Sequence, residues 1–353
     1  MKYSRTSMMN LKIVTNLAWP AFKNVALDIH KALKPYCDSS ILDWKKAKPR
    51  GNVLFIETVR EDTLRFLKKL PESNIVFYGT TEGHSLLDEE LVELARKVKI
   101  VAVSNFVRQM LEEIGITVAG VVHHGVDMDA KEVDISFLRM VEEKARGKLV
   151  ALTIASNDPR KGLEKLLQAY KIVEATVPNS FLILHSEPKR YYDREDGKYH
   201  ERYFDLPEMA SKLGIERIWL TNSYGMMSSE EVNALYKLCH IYVLSSFSEG
   251  FGLPMLESFR FDKPVVAVDA PPFNEIIEDG RTGKLIPYSE VRWFNYKNRI
   301  LFKMHIYEHS SLAEAMINLL SEIDLQERMQ AYIKEKKHGW SIHELYPKLL
   351  DYF

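Results

Sequence analysis

Ser248-Glu249-Gly250-Phe251-Gly252-Leu253-Pro254-Met255-Leu256-Glu257 follows closely on an apolar run, His240–Leu244, and reads as a strand–loop–helix junction. Gly250 and Gly252 let the backbone approach a ligand and take dihedrals closed to other residues. Pro254 suits the first helical turn, where its missing N–H removes no bond. The amides of Gly252 and Leu253 would point out of a helix N-terminus, and the helix dipole draws an anion to them. Two carboxylates bracket that place, Glu249 in the loop and Glu257 in the helix. A carboxylate is a poor partner for phosphate, but it accepts from hydroxyls and holds a diol with both oxygens. An anion site between two diol acceptors is what a nucleotide sugar requires, with Glu257 on the ribose and Glu249 on the transferred sugar. The plainer reading stands beside it: Glu257 favours a helix N-terminus, and Glu249 is a solvated loop charge.

Around the junction, apolar runs alternate with amphipathic stretches. Leu11–Thr15, Val53–Ile56, Ile75–Tyr78, Ile100–Val103 and Val118–Val122 read as buried strands, and Phe22–Leu33, Glu61–Leu70, Leu86–Val98 and Phe106–Ile114 as helices. This order implies βαβ units and a parallel sheet. After a polar stretch, Asp127–Lys148, a second series begins. Strands Leu149–Ile154, Phe181–His185, Ile218–Leu220, His240–Leu244 and Pro264–Val268 are interleaved with a helix at Leu163–Val177 and one opened by the capping-box spacing Ser228-Ser229-Glu230-Glu231. The expected organisation is two α/β domains, 1–145 and 146–335, with a closing helical segment, 336–353. Ligands of such sheets bind beyond the carboxyl ends of strands, where the strand order reverses.

Composition narrows the function. The chain has 353 residues, 46% hydrophobic and 27% charged, with a net charge of −1. That describes a globular protein and gives no reason to expect nucleic acid as a partner. Two cysteines, Cys37 and Cys239, make no disulfide framework and suggest a reducing compartment. No apolar run is long enough to span a membrane, and the N-terminus, Met1-Lys2-Tyr3-Ser4-Arg5, lacks the apolar stretch of a secretory signal, so the expected location is cytoplasmic. Few Gln and Cys beside much Lys and Glu lean toward a heat-adapted source. Gly250-Phe251-Gly252 is the only G-x-G and Met255 takes the third glycine position, while Gly283-Lys284 is followed by Leu285. Both the dinucleotide fingerprint and the P-loop are therefore absent.

The segment Ser248–Glu257 resembles the E-x7-E signature of retaining glycosyltransferases of family 4, with the E-G-F-G-L-P core intact. Ser246-Phe247, Pro264-Val265-Val266-Ala267, Glu275–Leu285, Ser104-Asn105-Phe106 and Gly125-Val126-Asp127 extend the likeness over most of 99–287. The resemblance implies a GT-B fold: two Rossmann-like domains facing a central cleft, with a C-terminal helix returning to the N-domain. It implies transfer of a sugar from a nucleotide diphosphate donor, UDP- or GDP-linked, to a hydroxyl of a glycan, lipid-linked or small-molecule acceptor. Retention at the anomeric carbon and no metal or other cofactor go with it. On that likeness Glu249 orients the sugar and Lys161, in Asp158-Pro159-Arg160-Lys161-Gly162, stabilises the leaving diphosphate. The amides of Phe251, Gly252 and Leu253 line phosphate and sugar, and Glu257 holds the ribose. The family's arginine, five or six positions before that lysine, is replaced by Ala155 or Ser156, and Arg160 is the candidate substitute. Asn16, in a first loop without glycine, and Tyr78, near the place of the family's sugar-contacting histidine, are the first-domain candidates. A nucleotide-sugar epimerase of the same fold and a degenerate, non-catalytic sugar-binding member are the alternatives.

Other features weigh less. Asp127-Met128-Asp129 spells a metal-binding D-x-D, but it falls on the G-V-D segment, and His123-His124 lacks spaced partners, so no metal site is expected. Lys189–Phe204 and Tyr288–His309 look inserted. The second mixes Trp293, Phe294, Tyr296 and Phe302 with Arg292, Lys297, Arg299 and Lys303, as a packed surface hairpin or helix, or as a peripheral contact with the inner membrane face.

Overall fold

The computed structural model describes residues 9–46, 48–70, 73–188, 205–221 and 223–353, with the backbone of 191–192 and 201–202. Strands β1 (Asn10–Thr15), β2 (Asp38–Asp43), β3 (Gly51–Thr58), β4 (Ser73–Thr80), β6 (Lys99–Ala102) and β7 (Gly120–Val121) form a six-stranded sheet in the order β2-β1-β3-β4-β6-β7, parallel throughout. Its central strands bury both faces under α1 (Pro20–Leu33), α2 (Glu61–Leu67), α3 (Glu89–Arg96) and α4 (Asn105–Glu113), as their near-continuous apolar runs require.

The second parallel sheet runs β12-β9-β8-β13-β14-β15. Its strands are β8 (Leu149–Ile154), β9 (Ser180–His185), β12 (Ile218–Leu220), β13 (Ile241–Val243), β14 (Val265–Val268) and β15 (Gly283–Ile286). Helices α6 (Leu163–Thr176), α7 (Leu206–Lys212), α8 (Ser229–Leu238), α9 (Leu253–Arg260), α10 (His309–Ser321) and α11 (Ile323–Lys336) accompany it. From β8 the order steps one way to β9 and the other way to β13, so the loops after β8 and β13 share the crevice where the order reverses. Those loops carry Asp158–Gly162 and Ser245–Gly252.

Four expectations change. An edge strand, β2, lies in a segment too polar to read as one; it is half-exposed along its length. The helix expected over 86–98 starts only at Glu89, because residues 83–85 are a strand, β5 (Gly83–Ser85). The polar stretch 127–148 contains a helix, α5 (Ile135–Lys144), packed on α8, so residues ahead of the expected boundary at 145 side with the second sheet. The closing segment is not one helix but a run of short turns, Lys337–Trp340, α12 (Ile342–Leu345) and Tyr346–Tyr352. It does cross back: Ser341 bridges Val126, the Tyr346 hydroxyl donates to the Gly125 carbonyl at 3.2 Å, and Lys99 Nζ donates to the Tyr352 carbonyl at 2.8 Å.

The segment 288–309 is a hairpin, β16 (Glu290–Tyr296) and β17 (Ile300–Ile306). The far edge of β17 pairs antiparallel with β5 of the first half, Phe302 opposite Gly83 and Leu301 opposite His84. The two halves therefore share a three-stranded sheet. The 189–204 insert falls almost wholly outside the described residues; only a two-residue pairing, β10 (Tyr191–Tyr192) with β11 (Glu201–Arg202), is seen.

Candidate active site at the junction of the halves

After β8 the chain makes a single tight turn, Pro159–Lys161, closed by Gly162. Gly162 is left-handed at φ 64°, and a Cβ there would meet the Ser245 carbonyl at 2.1 Å. Only glycine satisfies both conditions. The turn is thus pressed onto the loop after β13, where Ser245 Oγ donates to the Lys161 carbonyl at 2.7 Å and Phe247 N to that of Arg160 at 2.8 Å. Two remote basic side chains are thereby set beside Glu249.

Glu249 is buried, not a solvated loop charge. Its Oε1 accepts from Lys161 Nζ at 2.5 Å and Ser246 Oγ at 2.7 Å, and its Oε2 from Arg160 Nη1 at 2.8 Å. Burial alone would raise its pKa, but Lys161 and Arg160 outweigh that and hold it at about 2. Arg160 is conversely raised above its ordinary value: burial opposes, and Glu249, Glu82 and Asp158 prevail. For Lys161 burial, then Arg160, act downward, with Glu249 pulling the other way. Between these tendencies the Glu249 direction governs, because two cations and a hydroxyl converge on one carboxylate.

Arg160 does not point outward to solvent. Nη1 also donates to the Ser248 carbonyl at 3.0 Å, Nη2 lies 3.2 Å from Glu82 Oε1, and the guanidinium sits 5.6 Å over the Phe302 ring. Two cations thus face three carboxylates, Glu249, Glu82 and Asp158.

The loop then enters α9 as expected. Gly252 precedes the helix at φ 98°, Pro254 stands in its first turn, no side chain caps the helix start, and the Met255 N–H donates to the Gly252 carbonyl at 3.0 Å. Phe251 is buried, its ring edge-on to His124 at 5.1 Å. A Cβ on Gly250 would meet Thr80 Oγ1 at 2.0 Å, and Ser104 Oγ donates to the Gly250 carbonyl at 2.8 Å, so this loop abuts the first half. Half-buried Glu257 accepts from the Tyr236 hydroxyl at 2.8 Å.

The structure gathers Glu249, Lys161, Arg160 and the turn Phe251–Leu253, with Glu257 one helical stretch away. It turns the two first-half candidates inward. Tyr78 is fully buried, its hydroxyl donating to the Val122 carbonyl at 2.8 Å and lying 3.1 Å from His124 Nδ1, which leaves no face for a sugar. Asn16 is buried too; its Oδ1 accepts from Ala18 N at 3.1 Å and its own N–H donates to Glu57 at 3.0 Å. Asp127 of the D-x-D string pairs with Lys31, and no cluster of three metal-type ligands occurs among the described residues.

Sequence reasoning missed Glu82, whose partner is far away in the chain, and Glu275. The Glu275 carboxylate accepts from Asn105 N and Phe106 N at 2.8 Å each and from His123 Nε2 at 3.0 Å, clasping the α4 N-terminus from the other half. A cavity of about 270 Å³ lies apart from the cluster, lined by Arg60, Glu61, Asp62, Arg65, Leu86, Asn298 and Arg299.

Two Rossmann-like halves, with the loops after β8 and β13 of the second set against the first, make up a GT-B architecture. Solved structures of that architecture superpose over nearly the whole chain. HepE of Anabaena in complex with UDP and glucose gives a TM-score of 0.72 at 15% identity, covering 97% of this chain and 98% of HepE. The family model of glycosyl transferases group 1 matches residues 134–336, and the chain belongs to that family. Among relatives, an uncharacterized glycosyltransferase of Sulfolobus islandicus rod-shaped virus 1 is 24% identical over 78% of this chain and 79% of its own length. The Escherichia coli serotype-specific mannosyltransferase WbdA is 29% identical over 36% of this chain and 14% of its own length.

Proposed function

We propose that this protein transfers a sugar, with retention, from a nucleotide diphosphate sugar to an acceptor hydroxyl. The observation that carries the reading is the buried, ionised Glu249 fixed by Lys161 beside the open N-terminus of α9. In this reading the diphosphate lies on the amides of Phe251, Gly252 and Leu253. Lys161 moves from Glu249 to the phosphate as charge builds on the leaving group. Glu249, freed of one cation, accepts hydroxyls of the sugar, and Glu257 accepts those of the ribose. The leaving phosphate takes the acceptor's proton, so the protein supplies no separate base and the charge is met without a metal. Arg160, with its donors already engaged, works on Glu249 rather than on the phosphate.

UDP- and GDP-sugars are the donors to test first. HepE was solved with UDP, and WbdA is named a mannosyltransferase. Glycan, lipid-linked and small-molecule hydroxyls form the acceptor panel. Thermal shift against UDP, GDP and ADP identifies the nucleotide: a ligand at 100 times its Kd stabilises by about 2.7 kcal/mol. Glu249→Ala abolishes turnover, EDTA leaves it intact, and the product keeps the donor's anomeric configuration by NMR. Failure of every nucleotide to shift the melting curve would overturn the reading. The already neutralised cations favour one second reading, a binding protein without turnover. A protein that binds nucleotide yet is inert over the whole panel would fit it; an epimerised sugar from donor alone would instead mark an epimerase.

A further inference from the structure

Glu82 reaches the cluster from the other half of the molecule, and three separate contacts fix it there. Its carbonyl accepts from Lys303 N of β17 at 3.1 Å and from Ser248 Oγ at 2.8 Å. The next residue, Gly83, pairs with Phe302 of β17. A Cβ on Gly83 would meet the Leu301 carbonyl at 1.9 Å, so the strand can lie this close only with glycine in that place. With its backbone held, Glu82 sets Oε1 at 3.2 Å from Arg160 Nη2, and both side chains are largely shielded from water.

The same guanidinium holds Glu249 through Nη1. A guanidinium is a flat fork, so fixing one nitrogen fixes the direction of the other. Phe302 supports its face and Asp158 lies 3.8 Å from Nε. Glu82 is the one carboxylate on this fork that the first half contributes among the described residues. Without it, Nη2 loses its anionic partner in a shielded setting, and the plane is free to turn. Glu249 would then keep Lys161 and Ser246 on Oε1 but lose the fixed partner on Oε2.

We infer that Glu82 is a positioning residue for sugar transfer: acting through Arg160, it holds the Glu249 carboxylate in its working orientation, and it does so only while β5 is joined to β17. The inference rests on the function proposed above for Glu249. In this role Glu82 acts through Arg160 and not on the substrate, so its loss should lower the rate of the chemical step and leave donor binding alone.

The test compares Glu82→Ala and Glu82→Gln with the wild type in the full-length chain, using UDP-glucose and GDP-mannose as donor probes and calorimetry with UDP and GDP. Glu82→Ala is expected to lower kcat about 10- to 100-fold, the usual effect of removing a group that orients a ligand-contacting one, with donor KM within about twofold. Glu82→Gln keeps an oxygen facing Nη2 and should restore kcat to within about threefold of wild type. A purely structural role would shift melting and KM together and show no such rescue. An unchanged kcat in Glu82→Ala overturns the inference, as does an equal loss in both variants. A crystal structure of Glu82→Ala is read whatever the donor proves to be. Glu249 Oε2 displaced from Arg160 supports the inference; Glu249 unmoved overturns it. Absence of nucleotide binding in the wild type counts against the donor reading alone.

Discussion

Glu57 lies buried where β3 ends, accepting the Asn16 N–H, and its pKa is pushed up to about 7. Burial raises it, and Arg60 with the amides of Asn16 and Thr58 only partly opposes. The folded state therefore binds a proton that the unfolded chain releases near its ordinary value of 4.5. The stability this lends is complete below that ordinary value and is lost as pH rises through about 7. Glu57→Gln keeps an acceptor for Asn16 and cannot ionise. The melting temperatures of wild type and variant should coincide below about 4.5, draw apart as pH rises from there to about 7 and keep that gap above it, with the wild type lower; a gap independent of pH throughout would refute the assignment. Half-buried Asp28, also raised to about 7 by burial, adds its own slope, which the single-variant comparison cancels. Glu249 runs the other way: its contribution is present above 4.5 and fades as pH falls toward about 2. The types and spacing of Glu249 and Lys161 were readable in the chain. The burial of Arg160 was not, because Glu82 and Glu249 reach it across long separations and no local pattern announces an ion pair made in space.

Elements with a strong local signal were legible. The capping box at Ser228 is formed as its spacing suggests, Ser228 Oγ accepting from Glu231 N at 3.1 Å and Glu231 Oε2 from Ser228 N at 2.7 Å. Ser228→Ala should cost about 1 kcal/mol and lower the melting temperature by about 2 °C, with nucleotide binding unchanged. Buried strands such as β9, with four apolar residues in a row from Phe181 to Leu184, were equally plain. Strand β2 and helix α5 were hidden by the opposite cause. β2 is a half-exposed edge strand, and α5 buries only Leu138 and Val141, so neither carries much of an apolar signature. Tyr78 misled for a related reason. Its place at a strand end fits a ligand contact, but its hydroxyl finds partners inside the first half.

On the scale of the whole molecule, alternation of strands and helices foretold two parallel sheets, and the E-G-F-G-L-P turn forms the strand–loop–helix junction expected of it in the second. How the halves join was not foretold, since β5 and β17 stand more than two hundred positions apart and meet by backbone pairing, to which the local sequence gives no pointer. That pairing predicts how the protein melts. A Cβ on Gly83 would meet the Leu301 carbonyl at 1.9 Å, so Gly83→Val should prise the strands apart. We expect the variant's calorimetric trace to resolve into two transitions where the wild type shows one. A single sharp transition in both would mean that the Glu275 clasp and the returning C-terminal turns suffice to couple the halves.

The shared sheet also bears on any attempt to express the halves separately. Cut near residue 130, each fragment would display a raw strand margin, Gly83–Ser85 on one and Ile300–Phe302 on the other, with donors and acceptors left facing water. Such margins seek company, so lone fragments should clump, whereas producing both in the same cell should yield a soluble, noncovalently mended pair.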